Sequence, residues 1–230
     1  MDPEDCDPET WLVAAGRPSG AGSPLNTPIE AASTFHSDGS SPYARSDEGT
    51  ASWRAFEELV GGLERGTAVS FASGMAAVSA VFAQVAEGGT VVIPADCYQG
   101  VAAMADEVAA AGRQRVHRLA TDDTPGWVAA AGEADLLWFE TPSNPLLVVG
   151  DLVALAAAPR RPGALLAVDN TFATPLNQRP LDLGADLSVQ SATKLLGGHS
   201  DLLSGVVTTR SDRLAVGLRH HRLVHGATPG

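Results

Sequence analysis

The sequence predicts an α/β fold with a mostly parallel sheet of about seven strands and helices on both of its faces. From Ser52 onward, short apolar segments of strand length alternate with longer segments whose apolar residues recur at helical spacing. Two of the strand segments, residues 136–139 and 165–168, are apolar at every position. Such runs are typical of strands buried on both faces, as in a parallel sheet covered by helices.

The elements of this alternation can be placed in order along the chain. The first long helix is marked by apolar residues from Trp53 to Leu63; we expect Ser52 to cap it and Gly66 to end it. Further helices are expected at residues 75–86, 101–111, 127–131, 152–158 and 213–223. Strands are expected at residues 68–71, 90–93, 116–119, 136–139, 165–168, 187–189 and 206–208.

The chain divides into an arm and a domain. Residues 1–51 are rich in Pro, Gly, Ser, Asp and Thr and show periodicity only at a turn of helix near residues 9–15. An arm of this composition becomes ordered only against another surface. Residues 52–230 carry the alternating pattern and form the predicted domain.

Composition and charge narrow the classes of protein. The net charge is −12, which gives no general attraction to nucleic acid or to an anionic membrane surface. Cys6 and Cys97 are the only cysteines, so neither a disulfide scaffold nor a zinc site is expected. The acidic N-terminus lacks the pattern of a secretion signal, and no apolar run is long enough to span a membrane. We therefore expect a cytoplasmic protein without a metal.

Candidate functional residues follow the predicted strands, because parallel α/β sheets bind ligands at the carboxyl ends of their strands. Each candidate also has an ordinary structural explanation: Ser73-Gly74-Met75 as a helix cap, Asp169 and Asn144 as turn residues, Tyr98 as a half-buried core residue. As a ligand site, the 73–75 turn suits an anion at a helix N-terminus, and Asp169 suits a positively charged partner.

Lys194 is the only lysine in the chain, whose other strongly basic residues are all arginines. Lysine forms an imine with an aldehyde, and arginine does not. Ser191 and Thr193 place two hydroxyls beside it, and Gly197-Gly198 lets the backbone pass close by. A surface lysine near a turn is the alternative.

Taken together, these residues suit a cofactor with a phosphate, an aromatic ring nitrogen and an aldehyde. Pyridoxal 5′-phosphate has all three groups. In enzymes that use it, a lysine forms a Schiff base with the aldehyde and an aspartate keeps the proton on the ring nitrogen. Tyr98 can stack on the ring, and the Asn144 amide can donate to a ring hydroxyl or a carboxylate. A generic nucleotide-binding domain is disfavoured because neither GxGxxG nor GxxxxGK[ST] occurs.

Several motifs then follow one another in order: FASGM at 71–75, PSNP at 142–145, AVDNTFATP at 167–175 and SATKLLGGHSD at 191–201. In this order they resemble the Cys/Met-metabolism family of pyridoxal-phosphate enzymes, which includes cystathionine γ-synthase and γ-lyase. The resemblance runs from about Pro24 to the end of the chain. It implies the large domain of a fold-type I pyridoxal-phosphate-dependent transferase.

The resemblance also implies roles for individual residues. Lys194 carries the Schiff base and moves protons, Asp169 pairs with the ring nitrogen, and Tyr98 stacks on the ring and acts as a base. Asn144 contacts the cofactor and the substrate carboxylate. The phosphate site is implied at Ser73, Gly74, Met75, Ser191 and Thr193. Tyr43 and Arg45 match an element that reaches into the site of a neighbouring subunit, so the 1–51 arm is expected to pack there in a homotetramer, a dimer of dimers.

The sequence departs from the family pattern in two places. After Arg45 the family's Gly-Asn-Pro-Thr turn is replaced by residues 46–52, and Pro42 stands where cystathionine-directed members often carry an acidic residue. The chain also stops at Gly230, where the family enters its smaller C-terminal domain. We therefore expect that domain, and the arginine it supplies for the substrate carboxylate, to be absent.

The predicted function is a pyridoxal-phosphate-dependent carbon–sulfur lyase of sulfur amino-acid metabolism. The first choice is cystathionine γ-lyase, which yields cysteine, 2-oxobutanoate and ammonia and so serves cysteine biosynthesis by trans-sulfuration. Cystathionine γ-synthase and methionine γ-lyase are the alternatives within the family. The alternative outside catalysis is a truncated, inactive fragment that binds the cofactor but lacks the substrate clamp.

Overall fold

The computed structural model describes residues 3, 5–36, 43–45 and 49–229. The helices are α1 (Pro8–Ala14), α2 (Ala51–Glu64), α3 (Gly74–Phe82), α4 (Gln99–Ala110), α5 (Thr124–Ala131), α6 (Leu152–Ala157), α7 (Thr174–Asn177), α8 (Pro180–Leu183) and α9 (Asp212–His225). The strands are β1 (Thr67–Phe71), β2 (Gly89–Pro94), β3 (Gln114–Leu119), β4 (Leu136–Glu140), β5 (Leu165–Asp169), β6 (Leu187–Gln190) and β7 (Gly205–Thr209).

The strands of the described residues form one seven-stranded sheet in the order β1-β7-β6-β5-β4-β2-β3. Strand β7 runs antiparallel to both of its neighbours, and the other pairs are parallel. The predicted mostly parallel sheet is therefore confirmed. Each predicted strand is present, with bounds that differ by a residue or two.

Two apolar cores cover the two faces of the sheet. Trp138 of β4 packs with α3, α4 and α9 on one face, whereas its neighbours Leu137 and Phe139 pack with α5 and α6 on the other. All of β4 is buried, as its continuous apolar run predicts. The predicted cover of helices on both faces is therefore present, and it leaves the sheet edge at the strand ends available for a site.

The start and end of α2 differ from the sequence prediction. Thr50, not Ser52, caps the helix: its hydroxyl accepts from Trp53 N at 3.3 Å. The Ser52 hydroxyl instead accepts from Glu30 N at 3.1 Å, while the Glu30 carboxylate accepts from Ala51 N at 2.7 Å. The Ser52 hydroxyl is therefore bonded to a distant segment, and the helix begins at Ala51, one residue before the predicted cap.

The ends of two helices also differ from the sequence prediction. Helix α2 ends at Glu64 because Arg65 adopts a left-handed conformation with φ of 56°. Helix α3 ends at Phe82, four residues before its expected end at Ala86. Helices α7 and α8 are four residues each and begin with prolines at N1 or N2, so they are too short to show a period in the sequence.

Part of the 1–51 arm packs on its own chain. The Trp11 side chain of α1 is 5% exposed, and its indole N–H donates to Leu59 O of α2 at 2.8 Å. The turn of helix predicted at residues 9–15 is therefore present and anchored. Packing of this arm on a neighbouring subunit stays a prediction.

Neither a membrane-spanning helix nor a metal site is found among the described residues. Within those residues, no helix is both long and apolar enough to cross a membrane. No group of three or more His, Cys, Asp or Glu side chains in the same part of the chain is arranged to hold a metal ion.

Candidate active site

A cavity of about 220 Å³ opens at the carboxyl ends of the central strands. Segments far apart in the sequence meet there because β4, β5 and β6 lie side by side in the sheet. The predicted site residues that line the cavity are Ser73, Gly74, Met75, Tyr98, Asn144, Asp169, Ser191, Thr193 and Lys194.

One end of the cavity carries backbone N–H groups that could hold an anion. Ser73 caps α3 by accepting from Ala76 N at 3.1 Å, and the backbone N–H groups of Gly74 and Met75 have no acceptor among the described residues. A methyl group built on Gly74 would lie 2.9 Å from both the Cβ and the Oγ of Ser191. Free amides at a helix start beside a hydroxyl, with no room for a side chain, form a cradle that suits a phosphate.

The serine and threonine near the cradle differ in how their hydroxyls are used. Ser191 donates its backbone N–H to Thr171 Oγ1 at 2.8 Å, and its own hydroxyl donates to none of the described residues. The Thr193 hydroxyl donates to Ser204 O at 3.1 Å and accepts from Ser204 N at 3.0 Å. Ser191 is therefore ready to donate to an anion, whereas Thr193 must first exchange its bond to Ser204 O.

Asp169 is the last residue of β5, and its Oδ1 accepts from Thr171 N at 3.0 Å. Burial raises the pKa of this carboxyl, because the charged form loses hydration at the carboxyl end of β5. A cation held against it would reverse that penalty. A protonated ring nitrogen is therefore a suitable partner, and pyridoxal phosphate fits the donor and acceptor set of the cavity at both ends.

Lys194 lies in the turn that follows β6. Its backbone N–H donates to Ser191 O at 3.1 Å, and its carbonyl accepts from Gly198 N at 2.8 Å. Gly198 adopts a φ of 72°, which favours glycine and lets the turn close. The Lys194 amine forms no ion pair with the described residues, so it is available to a ligand in the cavity.

Tyr98 lines the cavity and is the N-cap residue of α4, and Gly100 lies in the first turn of that helix. Tyr98 is 38% exposed and lines the cavity, so it is not enclosed in the core. A methyl group on Gly100 would lie 2.7 Å from the Tyr98 ring and 2.8 Å from Met75 Sδ. Glycine at position 100 therefore lets the tyrosine lie close to the start of α3.

Sequence reasoning missed Glu140, Thr171 and Phe172, which also line the cavity. Glu140 is 3% exposed and ends β4, one residue beyond the end predicted for that strand. Burial first, and then the nearby Asp169 carboxylate, raise the pKa of Glu140 above its usual range. The rule that selected Asp169, a polar residue at the end of an apolar strand, also selects Glu140 once the strand is extended to it.

The structure places Tyr43 and Arg45 outside this cavity. Tyr43 forms an isolated antiparallel bridge with Thr34, and the Arg45 guanidinium lies 5.6 Å from the centre of the Tyr43 ring. Arg45 donates to Leu223 O of α9 at 2.6 Å. Their predicted contact with a neighbouring subunit's site stays a prediction. Pro42 and residues 46–48, which carry departures from the family pattern, lie outside the described residues.

The sheet, its helices and the lysine, aspartate and anion cradle at one edge define a domain of the fold-type I class of pyridoxal-phosphate enzymes. The sequence pattern of the family described as "Cys/Met metabolism PLP-dependent enzyme" matches residues 9–230, and the chain belongs to this family. The predicted family and the predicted cofactor, pyridoxal phosphate, are both confirmed.

Three relatives illustrate the range of activities in the family. A Streptomyces coelicolor protein provisionally named cystathionine gamma-lyase is 43% identical over 207 residues, which cover 86% of this chain and 52% of that protein. The cystathionine beta-lyase of Bacillus subtilis is 38% identical over 213 residues, with coverages of 90% and 54%. The crystal structure of cystathionine gamma synthase from Xanthomonas oryzae in complex with cystathionine has a TM-score of 0.91 and 34% identity, with coverages of 98% and 60%.

These relatives carry three different activities in their names, so they do not distinguish one member of the family from another. The chain spans about half the length of the curated relatives it matches. Family membership and fold are therefore stated for this chain, and its activity is a matter for proposal.

Proposed function

We propose that the chain is a pyridoxal-phosphate-dependent carbon–sulfur lyase of sulfur amino-acid metabolism, and specifically a cystathionine γ-lyase. The observation that supports this most is the convergence of Lys194, Asp169 and the Gly74–Ser191 cradle on one cavity. These match the aldehyde, the ring nitrogen and the phosphate of the cofactor, in that order. Their common location is what a cofactor of that shape requires.

The chain's own residues divide the work. When bound, the cofactor supplies an electron sink for charge that develops on the substrate. Lys194 would hold the cofactor through its amine and would take and return protons on the substrate carbons. Asp169 keeps a proton on the ring nitrogen, because a buried carboxylate is stabilised by the cation beside it. Gly74, Met75 and Ser191 hold the phosphate.

Tyr98 and Asn144 also belong to the proposed site. Both line the cavity. Tyr98 would stack on the cofactor ring, and the Asn144 amide would contact the cofactor oxygen and the substrate carboxylate. Tyr43 and Arg45 complete the site of a second subunit. We propose a homodimer as the smallest complete unit and its pair, a tetramer, as the assembly.

The first experiment tests the cofactor link. Purified protein should become yellow with pyridoxal phosphate, and borohydride should fix the cofactor to the chain. Because Lys194 is the only lysine, the adduct should map to one peptide. Lys194→Arg keeps the positive charge but cannot form an imine, so it should abolish the adduct. An adduct of equal yield in Lys194→Arg would remove Lys194 from its role.

The second experiment separates the members of the family. Given L-cystathionine, a γ-lyase releases cysteine and 2-oxobutanoate, whereas cleavage on the other side of sulfur releases homocysteine and pyruvate. Formation of cystathionine from cysteine and a γ-activated amino acid would indicate a synthase, and 2-oxobutanoate from methionine a methionine γ-lyase. Cofactor binding without any turnover would support the inactive-fragment alternative.

The mass of the protein in solution tests the proposed assembly. A monomer would leave Tyr43 and Arg45 without a site to complete.

A further inference from the structure

Glu140 occupies an unusual position for a carboxylate. It is the last residue of β4, is 3% exposed and lines the cavity. In the parallel pairing of β4 and β5 its register partner is Asp169, so two carboxyl groups end adjacent strands. A buried carboxyl next to a second one is costly unless it meets hydrogen-bond donors.

The donors that Glu140 meets belong to two different loops. Its Oε2 accepts from the backbone N–H of Tyr98 at 2.8 Å, and its Oε1 accepts from the backbone N–H of Asn144 at 2.8 Å. Tyr98 is the N-cap residue of α4, and Asn144 lies in the loop between β4 and α6. One carboxyl group therefore fastens both of these loops to the end of β4.

We infer that Glu140 is a positioning residue for the cofactor site, which holds Tyr98 and Asn144 at the cavity wall through its two oxygens. The inference rests on the proposed function for its catalytic meaning, and the two contacts stand on geometry alone. A carboxyl is required because both of its oxygens accept hydrogen bonds. A glutamine offers one accepting oxygen and a donating NH₂ group, so one of the two backbone N–H groups would face a donor.

The test compares wild-type protein with Glu140→Gln and with Glu107→Gln. Glu107 is an exposed residue on α4, the helix that Tyr98 caps, so it is a matched control for the same change of chemistry. Amide hydrogen exchange, resolved by NMR on the cofactor-free protein, reports on the two contacts directly. Titration with pyridoxal phosphate, followed by its visible absorbance and circular dichroism, reports on the cofactor site.

We expect the Tyr98 and Asn144 amides to be protected in the wild type and in Glu107→Gln. In Glu140→Gln, at least one should exchange about tenfold faster or more. The dissociation constant for pyridoxal phosphate should rise about tenfold, with an altered circular dichroism of the bound cofactor. The borohydride adduct at Lys194 should still form at saturating cofactor, which separates positioning from loss of the anchor.

Three results would overturn the inference. They are unchanged exchange at both amides in Glu140→Gln, unchanged cofactor affinity despite faster exchange, and rapid exchange of both amides in the wild type. The last needs no variant and decides the matter if Glu140→Gln does not fold. If the wild-type protein binds no pyridoxal phosphate, the proposed function fails, whereas the exchange comparison still confirms or overturns the two contacts.

Discussion

The buried carboxyl of Glu64 offers a sharp test of how burial changes the protonation state of a side chain and the stability of the fold. It is fully buried in α2, and its Oε1 accepts from Ser188 Oγ at 2.8 Å, Asn170 Nδ2 at 3.2 Å and Gln190 Nε2 at 2.6 Å. Its Oε2 and the Gln190 Oε1 are both buried without a partner among the described residues. A proton on Oε2 would turn one of these two unpartnered buried acceptors into a donor.

The magnitude follows from the pKa. Burial, only partly opposed by these hydrogen bonds and by Arg179, raises the pKa of Glu64 from 4.5 to about 7. That rise corresponds to roughly 3 kcal/mol of stability. Because the folded-state pKa lies above the unfolded one, this contribution is fully present below pH 4.5 and is lost as the pH rises through about 7.

The perturbation is Glu64→Gln, which keeps one accepting oxygen, replaces the other oxygen with an NH₂ donor and does not titrate. Urea unfolding of both proteins across this range gives the difference in free energy of unfolding, in which other titrating groups cancel if the sites are independent. Relative to the variant, the wild type should lose about 3 kcal/mol as the pH rises. Glu58→Gln, on the exposed face of α2, should show no such difference. Parallel profiles for wild type and Glu64→Gln would refute a neutral buried Glu64.

Two further substitutions test the cradle and the arm. Gly74→Ala should weaken pyridoxal-phosphate binding about tenfold or more, since the new methyl meets Ser191 at 2.9 Å and pushes the cradle apart; absorbance titration measures this. Gly132→Ala is its control, because the nearest atom there lies 3.7 Å away, and a similar loss in it would remove the steric explanation. Trp11→Ala should lower the free energy of unfolding, measured in urea, by about 3 kcal/mol or more. The control Leu12→Ala, at an exposed position of the same helix, should change it little. Equal effects of the two substitutions would show that α1 is not anchored by its tryptophan.

The sequence identified the secondary structure and most of the candidate site by local rules. A continuous apolar run gave β4, helical spacing gave α2, and the search at strand ends found Asp169 and Lys194. These succeed because the period of apolar residues and the chemistry of a turn are written in neighbouring positions. Strand ends in a parallel sheet then meet at one edge without further information.

Helix caps and the full set of site residues required the tertiary structure. Thr50 rather than Ser52 caps α2, because Glu30, more than twenty positions earlier, engages the start of that helix. Glu140 stands at a strand end, but its hydrogen bond to Tyr98 N, like that of Thr171 to Ser191 N, joins residues 42 and 20 positions apart in the chain. No local pattern in the sequence contains those pairings.

The amino-acid sequence alone determined which segments become strands and helices, and which side chains stand at the strand ends. Tertiary structure decided which of those side chains face one another and how buried they are. The pKa values of Glu64 and Glu140 depend on that outcome, because desolvation is set by the atoms packed around a carboxyl and not by its neighbours in the chain. The chemistry of the site is therefore encoded locally in residue type and globally in burial.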